Sequence, residues 1–456
     1  MDQPAKPNQL VDGSIIKSLI FLSLPIVIAS MLQSVYQLTD AFWVGKLGTD
    51  AIAAVAINFP IIFLIVSLGG GLSIAGTILV AQYKGRGDQH QVNYVSAQTL
   101  QLIFFASIIL SFLSYIIAKP LMQFVGADPD VLPIATFYLQ ISSLGFVFMF
   151  LYFAFESLMR GIGHPKLPLY IVMVTVVLNF LLDPVFIYGW HFIPALGTAG
   201  AAFATDITQA ISAIAGVIIL FSGKFGIHVN KEHFTVDWKL TKKMFMLGGP
   251  SSLEQSLRSI SMVVLITLVA QFGTVAVAAY GLGIRVLIFV IIPGIGFSIA
   301  AATMVGQNIG AGKPDRAREV LKQGSILSFG FLSAVGLLTF IFAGAIVKFF
   351  APASQELVFP ATFFVQVTSI GFGLMGVTMV MIGSLRGSGS TVAALIVSTV
   401  LIIFQVVIAF VLAKFTPLNY YGIWWAYPIS NIFGVVFPYY YLSRSDWLHK
   451  KIIDHH

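Results

Sequence analysis

Five carboxylates, Asp40, Glu156, Asp183, Asp206 and Glu254, lie in or beside long runs of apolar residues. A charge inside a membrane span is expensive, and by default it marks a functional site. Asp40 and Asp183 make the sharpest pair. At about 1.5 Å per helical residue, Asp40 lies roughly 37 Å along its helix from Ile15, and Asp183 roughly 25 Å from Lys166. With both helices rising from the same side, both acids fall in the outer half of the membrane. Asn179 precedes Asp183 by four residues, so it shares that face one turn below. Two carboxylates and an amide in a low dielectric cannot cheaply hold two negative charges. A proton relieves that cost, and so does a Na+ coordinated by their oxygens. That is the chemistry of ion exchange.

Each acid also has a plainer reading. Asp40 could cap the outer end of its helix in water, and Asp183, before Pro184, could form an Asp-Pro turn. Asp206 sits beside Thr205 but about 100° round the same helix, so it joins the network only from another face. Glu156 with Arg160, and Glu254 with Arg258, are spaced for ion pairs along one helix. The second pair lies deeper, and a substrate-facing Glu254 is its rival reading. Pro25 falls inside the first apolar run, where its missing hydrogen bond favours a kink. Gly69–Gly70–Gly71 is expected to loosen the second run.

The elements that position these residues follow from composition. Of 456 residues, 58% are hydrophobic and 9% charged, against about 25% charged in a soluble chain. There is too little charge to clothe a water-facing surface. Twelve apolar stretches between 15 and 443 are long enough to span a bilayer as helices, the tenth covering 357–384. The fold class is therefore all-α and membrane-embedded. With a cytoplasmic N-terminus, nineteen Lys and Arg lie inside, among them Lys6, Lys450 and Lys451, against four outside. That asymmetry orients the chain, with both termini cytoplasmic. Only Arg258 and Arg285 fall within spans. Cysteine is absent, which removes disulfides and thiolate sites, and the polar start shows no signal-peptide core.

The chain repeats itself. At a shift of 225 residues Pro25 falls on Pro250, and Gly69 and Gly71 on Gly294 and Gly296; at 226, Arg160–Gly161 falls on Arg386–Gly387. An even repeat keeps its orientation, so two six-helix lobes are expected to relate by a pseudo-two-fold along the membrane normal. The lobes are 1–222 and 241–456, the second with a short cytoplasmic tail, joined by a cytoplasmic linker at 223–240. Asp40, Asn179 and Asp183 fall on Leu265, Gln405 and Ala409, so ion coupling is expected in the N-terminal lobe alone.

The segments LPIVIASMLQSVYQLTDAFWVGKLGTDAIAAVAI, ESLMRGIGHPK, LNFLLDPVFIYG, MVGQNIGAGKPDRA and GSLRGSGS resemble the multidrug and toxic compound extrusion (MATE) family over nearly the whole chain, closest to its DinF branch. The resemblance implies a V-shaped pair of bundles and efflux of organic cations or amphiphiles in exchange for H+ or Na+. It maps the cation site onto Asp40, Asn179, Asp183 and Thr205. A carboxylate pair with few further ligands favours H+. The implied protein is a non-enzymatic, monomeric, multi-pass carrier of the inner membrane, with no cofactor beyond the coupling ion and no nucleic-acid partner. The rival is a flippase for lipid-linked saccharides in the same superfamily. A pyrophosphate cavity should gather several cations within the spans, and here acids dominate the N-terminal lobe.

Overall fold

The computed structural model describes residues 8–350, 355–448 and 452–453. Lys6, Lys450 and Lys451 lie outside the described residues. A short α1 (Gln9–Asp12) precedes α2 (Ile15–Val44), α3 (Thr49–Arg86), α4 (Gln89–Val125), α5 (Leu132–Gly161), α6 (Lys166–Tyr188) and α7 (Thr198–Ser222). The second series is α8 (Trp238–Ala270), α9 (Thr274–Gly310), α10 (Pro314–Phe350), α11 (Gln355–Ser369), α12 (Phe372–Gly387), α13 (Thr391–Lys414) and α14 (Tyr420–Arg444). Among the described residues the protein is an all-α membrane protein with twelve long helical segments, α11 and α12 counted as one.

Among the described residues, ten helices are long and apolar enough to cross a membrane by length and composition. The tenth stretch differs from expectation. The stretch read as one helix over 357–384 is two, α11 and α12, bent by 51° at their junction. Ile370 and Gly371 occupy that break. The twelfth, α14, has 25 residues but carries Pro428, Pro438, Asn431 and many Tyr and Trp, which lower its hydropathy. Helix ends obey local chemistry. The Asp88 carboxylate accepts from the Gln91 N–H at the start of α4, and left-handed Gly126 (φ 85°) ends it.

By packing, the chain forms two compact units: Met1–Val27 with Gly85–Gly87 and Leu253–His456, and Ile28–Lys84 with Asp88–Ser252. The lobes of the sequence are repeats, whereas these units are defined by contact. The first helix of each repeat changes unit partway, α2 after Val27 and α8 after Ser252, each within three residues of Pro25 or Pro250. Glycines allow both approaches. A side chain at Gly71 would strike Gly248 and Ser252, and one at Gly296 would strike Ser23 and Val27. These contacts are related by the 225-residue repeat. A side chain at Gly69 would strike the Phe150 ring. The glycine run thus serves close packing within an unbroken α3, a correction to the loosening expected of it.

Segments outside the spans are tied down. In the first unit, Asn8 Nδ2 donates to Gln307 Oε1 (3.0 Å), and Lys313 Nζ to Asp12 Oδ1 (2.6 Å). The lysine beside Asp12 holds its carboxyl below the usual carboxylate range, so the pair persists at neutral pH. In the second unit, Gln98 Nε2 donates to the carbonyls of His233 and Thr235, both at 2.6 Å.

Candidate functional site

In the N-terminal repeat, three helices bring four polar side chains together. Asp40 belongs to α2, Asn179 and Asp183 to α6, and Thr205 to α7. Thr205 Oγ1 donates to Asp40 Oδ2 (3.2 Å), and Asn179 Nδ2 donates to Asp183 Oδ1 (3.1 Å). Asp40 lies close enough to Asp183 and Asn179 to feel both, which draws the two bonded pairs into one cluster. Asn179 and Asp183 are 0% exposed. Tyr36, one turn before Asp40, bonds to Thr208 Oγ1 (2.6 Å) and donates to the Thr205 carbonyl (3.4 Å).

The cluster is short of donors. Asp40 Oδ1, Asn179 Oδ1 and Asp183 Oδ2 are buried and have no hydrogen-bond partner. Buried polar atoms are normally satisfied, and such exceptions call for an explanation. Three unpartnered acceptors in one cluster suit a proton between the carboxyls, or a small cation among the oxygens.

The helix course bears on the plainer readings of both acids, and Asp40 is half-buried. α2 runs on to Val44, so Asp40 lies within its last turns, bonded to α7. Pro184 does not break the chain but sits inside α6, which continues to Tyr188. Its ring removes one backbone donor next to the site. Asp206 points elsewhere. Any side chain at Gly145 of α5 would collide with its carboxylate, and among the described residues no hydrogen bond joins it to the four. Glu156 and Arg160 form the expected pair along α5.

The C-terminal repeat is different at matched positions. Leu265 and Ala409 are 3% and 0% exposed in an apolar core with Tyr280, Phe364 and Trp424. Glycines fix the remaining register. Gly200 approaches the Phe186 carbonyl, and Gly422 approaches Leu412, so α7 and α14 correspond at a shift of 222. That register puts Tyr427 in the place of Thr205. A cavity of about 280 Å3 stands there, with Leu265, Gln405 and Tyr427 in its wall.

Glu254 is 1% exposed in side chain and holds more than the expected partner. Its Oε1 receives Arg258 Nη2 (3.2 Å), Arg386 Nη2 (2.6 Å) and Ser398 Oγ (2.7 Å). Sequence reasoning found the first and missed the other two. A signal existed: Arg160 finds Glu156 four residues back, but Arg386 finds Ile382 there, so its acid had to come from another helix.

Known proteins agree with this architecture. The family model MatE matches residues 25–185 and 250–411, one match in each repeat. A probable multidrug resistance protein, YoeA, of Bacillus subtilis is 30% identical over 99% of this chain and 98% of its own. The probable multidrug resistance protein NorM of Thermotoga maritima is 24% identical over 96% and 94%. A solved structure described as the outward-facing conformation of a multidrug resistance MATE family transporter superposes with TM-score 0.88. It is 24% identical and covers 99% of this chain and 100% of its own.

Proposed function

The chain belongs to the MatE family, and from that premise we propose that it is a multidrug efflux antiporter. It exports amphiphilic, often cationic, compounds in exchange for protons bound in the N-terminal repeat. The observation that carries this reading is the proximity of Asp40 and Asp183 in a cluster where three buried oxygens lack a donor. One proton there would neutralise a charge and supply a missing donor together. Few oxygens beyond two carboxyls, one amide and one hydroxyl are on hand for a full Na+ shell, which favours H+. The exchange follows from competition for one electrostatic state. With the carboxylates ionised, the repeat favours a cationic substrate; with a proton bound, that attraction falls.

Movement would follow the same charge. Protonation reorganises the bonds joining α2, α6 and α7, and α2 yields most cheaply where Pro25 already lacks one. A larger bend there would shrink the N-terminal site and release substrate outward. The bias required is modest, since about 1.4 kcal/mol changes a population ratio tenfold. The working setting is the inner membrane, with a single chain and both termini cytoplasmic.

Efflux of ethidium or norfloxacin from proteoliposomes, with a pH gradient and a Na+ gradient imposed separately, tests this. The pH gradient alone should drive transport. Drive by Na+ alone would keep the antiporter and replace the ion, while drive by neither would overturn the reading.

A further inference from the structure

The C-terminal repeat holds an imbalance of charge beside a cavity. Glu254 is the only acid in α8, α9, α12, α13 and α14. Two guanidiniums converge on its one carboxylate, at 3.2 Å from Arg258 and 2.6 Å from Arg386. The triad therefore carries one positive charge too many. All three partners share Oε1 and Oε2 has none, but Arg386 is the nearer and better buried guanidinium, so Arg258 is the cation more open to a ligand. Its side chain is 45% exposed, and it lines the 280 Å3 cavity.

The cavity is drawn from α8, α9, α11, α12, α13 and α14, so it lies inside the helical bundle of that repeat. Amides and a phenol, Gln405, Asn431 and Tyr427, face it alongside Phe372 and Met375. Its volume is close to the lower end of ordinary ligand pockets, roughly 300 Å3. A guanidinium at an apolar wall prefers a planar, bidentate anion such as a carboxylate or phosphate. An apolar body attached to that anion would occupy the wall of methionine and aromatic side chains.

We infer that this cavity is a second binding site, distinct from the cation cluster, for amphiphiles bearing a carboxylate or phosphate on a small apolar body. Arg258 receives the anionic head, and the polar groups on α13 and α14 orient it. The site stands in the place that the ion cluster occupies in the other repeat. One scaffold thereby offers an acidic pocket and a basic one, and a zwitterion could be recognised by either.

The anion could be a soluble compound or a lipid headgroup, and titration calorimetry of the full chain in nanodiscs separates the two. The probes are 2-naphthoate, 2-naphthyl phosphate and trimethyl-(2-naphthyl)ammonium, in discs of phosphatidylcholine alone or with phosphatidylglycerol. The two anions should bind and the ammonium should bind at least about tenfold more weakly, a difference of about 1.4 kcal/mol. Arg258→Gln should weaken naphthoate at least about tenfold, and Arg258→Lys by less. Glu254 keeps Arg386 in both variants, so the fold is retained. Gln405→Leu gives an independent loss without touching the triad. Weaker naphthoate binding in the phosphatidylglycerol discs identifies a lipid headgroup as the occupant; equal binding identifies a soluble anion. Equal affinity for the ammonium, or naphthoate binding indifferent to Arg258→Gln, would overturn the inference. Asp40→Asn should leave naphthoate binding unchanged, which separates this site from the proposed antiport.

Discussion

Asp40, Asn179, Asp183 and Thr205 meet in one cluster of the N-terminal repeat, whereas the matched positions of the C-terminal repeat hold Leu265, Gln405, Ala409 and Tyr427. The backbones correspond closely enough for Gly71 and Gly296 to make the same approaches in each repeat. Yet one repeat gathers acids with too few donors, and the other gathers arginines with too few acids. Close backbone contacts constrain the scaffold, because any Cβ at those glycines meets main chain or a packed side chain. The pocket wall has no such constraint, so the duplicated frame can hold opposite charges. Coupling to an ion then needs only one of the two.

Substitutions can break this contrast. The largest effect is expected from Asp40→Asn, which imitates a permanently protonated acid and should abolish gradient-driven efflux at normal expression. Asp183→Asn should fail in the same way, and wild-type efflux in either would remove the cluster from the mechanism. Next comes Glu254→Gln, which strands two guanidiniums. Breaking a buried pair costs about 3–5 kcal/mol in soluble proteins, so melting temperature and yield should fall together. Adding Arg258→Gln should restore only part, because Arg386 stays unpaired. Full restoration by that double change would show that Arg386 matters little.

Smaller effects sharpen the comparison. Asn179→Ala removes one donor to Asp183 but no charge, and should slow efflux by up to about tenfold, the worth of a hydrogen bond to a charged group at about 1.5 kcal/mol. If it proved worse than Asp40→Asn, a coordinated Na+ would become the better occupant. Pro25→Ala should have the smallest effect, slowing transport by stiffening α2 while leaving ion binding intact. Spin-label distances across α2 at acid and neutral pH would report the change in bend, and an unchanged distance would remove the bending step alone.

Much of this was legible in the sequence, for identifiable reasons. Helical membrane proteins announce their spans by length and hydropathy, and α2 appears over the expected 15–44. Asp40 and Asp183 were findable because a charge in an apolar run has few innocent explanations, and Asn179 because it lies one turn before Asp183. Thr205 was not, since a hydroxyl in a helix is cheap and common; only the family resemblance singled it out. The break between α11 and α12 carries no proline, and Ser369 and Gly371 alone do not mark a bend of 51°. Arg386 escaped because its acid comes from α8, and contacts between distant helices leave no local period. The cavity was invisible for the same reason, being made by six helices at once.

The central claim is that the exchanged ion sits between Asp40 and Asp183, and infrared difference spectroscopy of the carboxyl C=O stretch reads it most directly. The wild-type protein, reconstituted in lipid, would be stepped between about pH 5 and about pH 8, a range across which a buried carboxyl can change charge. A protonated-carboxyl band should disappear as pH rises and return on reversal. That band should be absent from Asp40→Asn/Asp183→Asn and retained in Asp206→Asn. The same band persisting in the Asp40→Asn/Asp183→Asn protein would contradict the account.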